Sequence, residues 1–238
     1  MIESLDIAIP LYNEEDSVEK LYVEIQEVKK ILNTKSIKVK ILLVNDGSTD
    51  KTEEMLNFYF KNLSNVLIVN HEKNKNLGGF LNTILNISKS EFVVFLDSDC
   101  TFAPTEIISM VSKIDATTDI VNGSPYHPNG DVLGVKPSRL LISKTANKIY
   151  QILISRDIYT YTSIFKAYRN DLIKDIAVEG KGFVAVAELF IKALKKSRKT
   201  IEFPCQLLIR TTGESKINIV NSVISHIKLM YKIKFNRI

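Results

Sequence analysis

Through its first hundred residues the chain alternates short apolar runs with stretches of helical periodicity. Leu5–Ile9 reads as a strand, and behind it Val18, Leu21, Tyr22, Ile25, Val28 and Leu32 fall on one stripe of an amphipathic helix. Val39–Val44 is a second apolar run. The polar segment DGSTDKTEEML behind it supplies a turn and a helix start, with Asp50 and Glu53 at capping-box spacing. Val66–Asn70 predicts a third strand, a helix near Gly79–Ser88 follows, and Glu91–Leu96 predicts a fourth strand, with Pro104 at the first position of another helix. Strand–helix alternation of this kind predicts an α/β fold: a mostly parallel central sheet with helices on both faces. Burial on both faces explains why FVVFL carries no polar residue.

The second half is patterned differently. SPYHPNGDVLG reads as a long loop, LLISKTANKIYQILI and GFVAVAELFIKAL as helices, and TSIFKAYR as a strand. TIEFPCQLLIR is a strand whose Pro204 suggests a sheet edge, where a missing N–H donor is tolerated. In INIVNSVISHIKLMYKIKFNRI, Val220, Val223, Ile224, Ile227 and Tyr231 line one helical stripe. Asn218, Asn221, Ser222, Ser225, Lys228 and Lys232 line another. Such a helix suits the surface of an anionic bilayer, and equally a seat on its own domain or on a second subunit.

Composition adds limits. A chain of 238 residues with 45% hydrophobic and 25% charged residues is that of an ordinary globular protein. No apolar run approaches the ~20 residues that cross a bilayer. The start, MIESLDIAIPLYNEE, lacks the basic-then-apolar order of a signal peptide. Cys100 and Cys205 match no metal or redox spacing, so reduced thiols in a cytoplasmic protein are expected. The net charge of +5 is uneven: Lys195–Ile238 holds ten Lys or Arg against two acids, a balance of +8, leaving −3 for the first 194 residues. The C-terminal part therefore either faces something anionic or is a solvated lysine-rich tail. No nucleic-acid partner is expected.

Candidate chemistry sits at the strand ends. The first strand ends in PLYNEE, the second in NDGS and the fourth in DSD, where open parallel sheets bind their ligands. Asp97 and Asp99, two apart in extended chain, point to the same side. That spacing suits Mg²⁺ or Mn²⁺, which takes one or two carboxylates plus substrate phosphates; a turn would explain it as well. Glu188, inside an apolar helix, needs either a partner or a function.

IPLYNEE, LLVNDGSTDKT, NKNLGGFLNT, VVFLDSD, YTSIFKAYR and RTTGESK occur in an order that resembles family 2 glycosyltransferases of the GT-A fold, closest to the dolichyl- or polyprenyl-phosphate sugar transferases. The resemblance runs to about Lys216, implying a GT-A domain over residues 1–216 followed by a C-terminal basic amphipathic helix over 217–238. It implies that Pro10, Tyr12, Glu14 and Asp46 contact the base and ribose of a nucleotide sugar, and that Asp97 and Asp99 hold the metal bridging its diphosphate. Arg210, Ser215 and Lys216 would close over phosphates, with Arg139 and Ser143 on the acceptor side. The chain departs from the pattern at Asn45, Asn76, Thr101, Pro125 and Ile164, where an acid, a glycine, a glutamine, an arginine and a glycine are usual.

The activity implied is metal-dependent, inverting transfer of a hexose from a UDP- or GDP-sugar to a polyprenyl phosphate at the cytoplasmic membrane face. A phosphate monoester is already largely anionic at neutral pH, so it needs cationic positioning groups more than a base. Arg139, Arg210 and Lys216 supply them. Two other readings stay open: transfer to a glycan hydroxyl with Glu188 as base, and a nucleotide-binding scaffold without turnover.

Overall fold

The four apolar runs of the first half become four parallel strands, joined by helices. In the computed structural model, which describes residues 2–210 and 219–235, these are β1 (Ser4–Leu11), β2 (Lys38–Asn45), β3 (Val66–Asn70) and β4 (Phe92–Phe95). Between and after them run α1 (Val18–Thr34), α2 (Thr52–Phe60), α3 (Asn76–Ile87) and α4 (Glu106–Val111). The second half contributes β5 (Ile120–Ser124), β6 (Asp131–Val132), α5 (Pro137–Leu153), β7 (Lys166–Arg169) and α6 (Asn170–Ile173). It ends with α7 (Phe183–Lys196), β8 (Thr200–Pro204), β9 (Gln206–Leu207) and α8 (Ile219–Lys234).

Seven strands form one sheet in the order β3-β2-β1-β4-β7-β5-β8. Only β7 runs against its neighbours, β4 and β5; β8 is the edge expected from Pro204. Alternation along β1 sends Leu5, Ile7, Ile9 and Leu11 into a core beneath α1, α2 and α4, and Ala8 into a second core beneath α3, α5 and α7. Strand order reverses between β1 and β4, so the crevice beyond their carboxyl ends is where a ligand belongs.

Several local expectations need correction. Pro104 lies two residues ahead of α4, which begins at Glu106. Asp50 and Glu53 take separate partners. The Asp50 carboxylate accepts the N–H of Thr52 at 3.0 Å, while Glu53 accepts from Asn70 at 3.1 Å. The 124–134 loop contains β6, which pairs in parallel with β9 as a separate two-stranded sheet. Of the seats left open for α8, the stripe named from periodicity faces mostly outward: Val220, Ile224, Ile227 and Tyr231 are exposed and Val223 is half-buried. The helix packs on α5 and α7 through His226, Leu229, Met230 and Ile233 instead.

Candidate active site

The ends of β1 and β2 are stitched together by short polar side chains. Asn13, in left-handed backbone at φ 51°, donates its N–H to Ser48 Oγ at 2.9 Å and accepts the N–H of Thr49 at 2.7 Å. Glu14 is buried; its N–H donates to Thr52 Oγ1 at 2.7 Å and its carboxylate accepts from Ser17 Oγ at 3.1 Å. Pro10 and Tyr12 stand half-buried on this rim.

At the end of β2 Asn45 and Asp46 are both buried. Asn45 accepts the Ser48 N–H at 3.2 Å and donates to Asn70 at 3.1 Å. Asp46 Oδ1 lies 2.6 Å from His71 Nδ1 and accepts the N–H of Lys75 at 2.9 Å, while His71 Nε2 meets Thr83 Oγ1 at 2.8 Å. Gly47 makes this possible. At φ 71° its absent Cβ would sit 2.7 Å from the Lys73 carbonyl carbon, so the 73–75 backbone can lie against the turn.

Beyond β4 the chain turns through Cys100 at φ 54°, and the Thr101 N–H reaches back to Asp99 Oδ1 at 3.1 Å. Arg210 arrives from the segment after β9. Its guanidinium pairs with the Glu14 carboxylate and approaches Asp99 Oδ2 at 3.6 Å. Three carboxylates, Glu14, Asp97 and Asp99, therefore surround one cation. The Asp97 carboxyl is raised well above its ordinary range, first by burial, then by the charges of Asp99 and Glu14, with Arg210 opposing. Excess negative charge of this kind is what a divalent cation relieves. Among the described residues no three His, Cys, Asp or Glu side chains converge as a complete metal cage. Two carboxylates beside an open crevice fit a magnesium-like ion that draws its other ligands from phosphates.

The remaining expected residues are spread around this centre. Arg139 is exposed near the start of α5; Ser143, one turn on, hydrogen-bonds with Tyr126. Glu188 on α7 is buried and fully engaged: Lys192 Nζ lies 2.6 Å away, and the N–H groups of Gly180 and Glu179 donate at 2.7 and 3.2 Å. It shares none of these bonds with the Asp97–Asp99 cluster. Ser215 and Lys216 lie outside the described residues. Asn76 takes the left-handed conformation at φ 60°, so the turn tolerates asparagine in place of glycine.

Sequence reasoning missed His71 and Thr83, which hold Asp46, and Lys166, which is fully buried. Burial lowers Lys166 to about 7, with Glu202 opposing. Asn122, Lys166 and Glu202 stand in register on β5, β7 and β8, a polar row across three adjacent strands. A histidine one residue past a strand end was the only available signal for His71.

Comparison with known proteins gives this arrangement a context. The chain is 28% identical to a dolichol-phosphate mannosyltransferase of Pyrococcus furiosus over 96% of its own length, and spans 63% of that protein. It is 26% identical to a polyprenol monophosphomannose synthase of Mycolicibacterium smegmatis, over 89% of this chain and 80% of that one. Among solved structures it resembles glucosyl-3-phosphoglycerate synthase from Mycobacterium tuberculosis, crystallised with Mn²⁺, UDP and glucosyl-3-phosphoglycerate. The TM-score is 0.70 at 16% identity, covering 98% of this chain and 80% of that one. That likeness establishes the GT-A fold. Residues 6–177 match the family described as Glycosyl transferase family 2. Since that span runs from β1 through the NDGS turn and both crevice aspartates to just beyond α6, the chain belongs to glycosyl transferase family 2.

Proposed function

We propose that the protein is a metal-dependent, inverting glycosyltransferase that moves a hexose from a nucleotide sugar to a polyprenyl phosphate. The observation that carries this is the cluster of Asp97, Asp99 and Glu14 around Arg210 at the switch point of the sheet. The dolichol-phosphate in the name of one relative and the polyprenol monophosphomannose in the other support the acceptor class.

On this reading the nucleoside lies across the ends of β1 and β2, against Pro10, Tyr12, Glu14 and the Asp46 carboxylate held by His71. Asp97 and Asp99 would hold Mg²⁺ or Mn²⁺, which supplies Lewis-acid neutralisation of the diphosphate. Arg210 would contact the phosphates, which a guanidinium fork suits; the family likeness adds Ser215 and Lys216 to that role. Arg139 and Ser143 face the acceptor. An acceptor phosphate oxygen bonds to the anomeric carbon as the bond from that carbon to the diphosphate breaks. Both electrons of that bond leave with the nucleoside diphosphate, and the configuration inverts. The nucleophile is already anionic, its second pKa being about 6, so no proton is transferred. Glu188, tied to Lys192 and two backbone N–H groups, is not needed as a base.

Among the described residues no helix is long and apolar enough to cross a membrane. The outward stripe of α8 and its basic end support peripheral seating on the cytoplasmic membrane face. The test is transfer from UDP- and GDP-hexoses to polyprenyl phosphate or a glycan, with Mn²⁺ or chelator. Product on the lipid phosphate only, lost with chelator, is expected. Product on the glycan alone would sink the reading.

A further inference from the structure

A cavity of about 370 Å³ opens between the 125–132 loop and α5, and none of Glu14, Asp97, Asp99 and Arg210 lines it. Its lining includes Tyr126, His127, Lys144, Lys148 and Tyr159, with Asp131 on one wall. Lys144 has no hydrogen-bond or ion-pair partner among the described residues. Lys148 donates to Gln151 Oε1 at 2.9 Å, which leaves two of its three N–H groups. His127 Nδ1 accepts the Asn129 N–H at 3.1 Å, so in the neutral ring the proton sits on Nε2 as a donor. Asp131 does not cancel this excess of donors freely: its carboxylate accepts from its neighbour Val132 at 2.8 Å and from Gln206 at 3.3 Å.

The position of the cavity on the helix narrows the ligand. At 100° per residue, Lys144 lies within the cavity face of α5 and Lys148 on its edge, next to Leu141 and Ile152. Those two apolar side chains are each 68% exposed. A row of donors therefore borders an uncovered apolar strip. That pairing matches a phosphate joined to a hydrocarbon chain and has no use for a free anion.

The cavity is also wired to the carboxylate cluster through backbone. Asp131 N–H donates to Cys205 O at 3.1 Å and Leu133 N–H to Leu207 O at 2.8 Å; Leu208 N–H then donates to Thr101 O at 2.8 Å. Thr101 follows Asp99 closely, and Arg210 follows Leu208. One continuous strip of main chain thus joins the wall of the cavity to the groups that face the donor.

We propose that this cavity binds the phosphate of a prenyl monophosphate through Lys144 and Lys148, with the chain leaving over Leu141 and Ile152. The assignment rests on the transferase reading above and names where its acceptor is held. Both lysines are exposed, so Lys144→Gln and Lys148→Gln leave the fold intact.

The kinetic experiment varies a short, water-soluble prenyl monophosphate at saturating nucleotide sugar. Each substitution is expected to raise the acceptor KM about tenfold, the worth of one charge-assisted contact, with donor KM and kcat unchanged. Arginine at the same positions restores the wild-type value, and Lys30→Gln, an exposed lysine on α1, changes nothing. An unchanged acceptor KM in the double variant overturns the assignment while leaving the transferase reading in place. A second arm measures binding calorimetrically without donor, using the prenyl monophosphate and inorganic phosphate. Tighter binding of the prenyl compound, lost in the double variant, supports the site; equal affinity for inorganic phosphate overturns it. If the prenyl compound binds here but sugar passes only to a glycan, the transferase reading fails and the phosphate site stands.

Discussion

Arg210 and Glu14, 196 positions apart in sequence, meet as an ion pair at the mouth of the crevice, with Asp99 on the other side of the guanidinium. Replacing Arg210 by glutamine removes the cation facing the phosphates and leaves Glu14 with Ser17 as its side-chain donor. Turnover is expected to fall at least about a hundredfold, the usual effect of losing one preorganised charge stabiliser. Thermal stability falls too, by about 2 kcal/mol, because a buried carboxylate loses its counter-charge. Steady-state rates and melting curves on the same preparation separate the two effects.

Asp99→Asn should remove the cation requirement together with the activity. Losing a residue that merely orients a metal ligand weakens metal sites by about 10–100-fold, so loss of a direct ligand exceeds that range. Titration of Mn²⁺ against the protein with UDP or GDP present reads this directly. Nucleotide binding equally strong in wild type and variant would remove Asp99 from the metal site.

His71→Leu breaks the link between Asp46 and Thr83 but leaves the Lys75 N–H on Asp46. Asp46 then has fewer constraints on its orientation. Donor KM is expected to rise about tenfold with kcat little changed, as for one lost buried hydrogen bond. His71→Gln, which can still reach both neighbours, should recover part of the loss.

The seat of α8 is sensitive to acid. His226 Nδ1 lies 2.8 Å from the Tyr150 hydroxyl, and burial lowers the imidazole from 6.5 to about 4. The unfolded chain therefore binds this proton more readily than the folded one. The contribution to stability is complete above pH 6.5 and is lost as the pH falls through that value towards 4. A difference of about 2 kcal/mol between pH 7 and pH 4 is expected from this group. Unfolding curves of wild type and His226→Gln should diverge at neutral pH and converge in acid.

Ile224→Glu with Ile227→Glu tests the outward stripe without touching the core, since both side chains are exposed. Binding to vesicles containing anionic lipid should weaken at least about tenfold, with melting temperature unchanged. Equal vesicle binding by wild type and variant would exclude this face as the membrane contact.

What was legible in the sequence was set by short range. The parallel half of the sheet announced itself because strands covered on both faces must be apolar where they are buried, and Ile41–Val44 and Phe92–Leu96 are. Asp97 and Asp99 were legible as an acidic pair just past a buried strand, although β4 stops at Phe95 and the chain turns at Ser98–Asp99, so extended-chain spacing is not what places them. Pro204 marked its edge for an equally local reason, a missing donor. Arg210 was identifiable only by likeness, since its meeting with Glu14 depends on how β9 returns past Thr101. The seat of α8 stayed open in the sequence because the helix carries two apolar stripes. Periodicity found Val220–Ile224–Ile227–Tyr231, whereas the domain takes Leu229, Met230 and Ile233 with His226, whose ring meets the hydroxyl of Tyr150. Glu188 looked like a base because an apolar helix surrounds it. Lys192, four residues on along α7, was readable from helical spacing, whereas the 179–180 backbone becomes visible only once the loop folds back over α7.

The pairing of Arg210 with Glu14 and Asp99 also bears on how a nucleotide sugar would enter. Without ligand, the arginine and the carboxylates screen one another. A metal diphosphate carries the mirror image of those charges: its cation suits the aspartates, and its oxygens suit the guanidinium. Entry would then be a swap of ionic partners rather than the filling of a charged void. A swap nearly conserves the net field, so donor affinity should respond weakly to ionic strength for a ligand of such high charge.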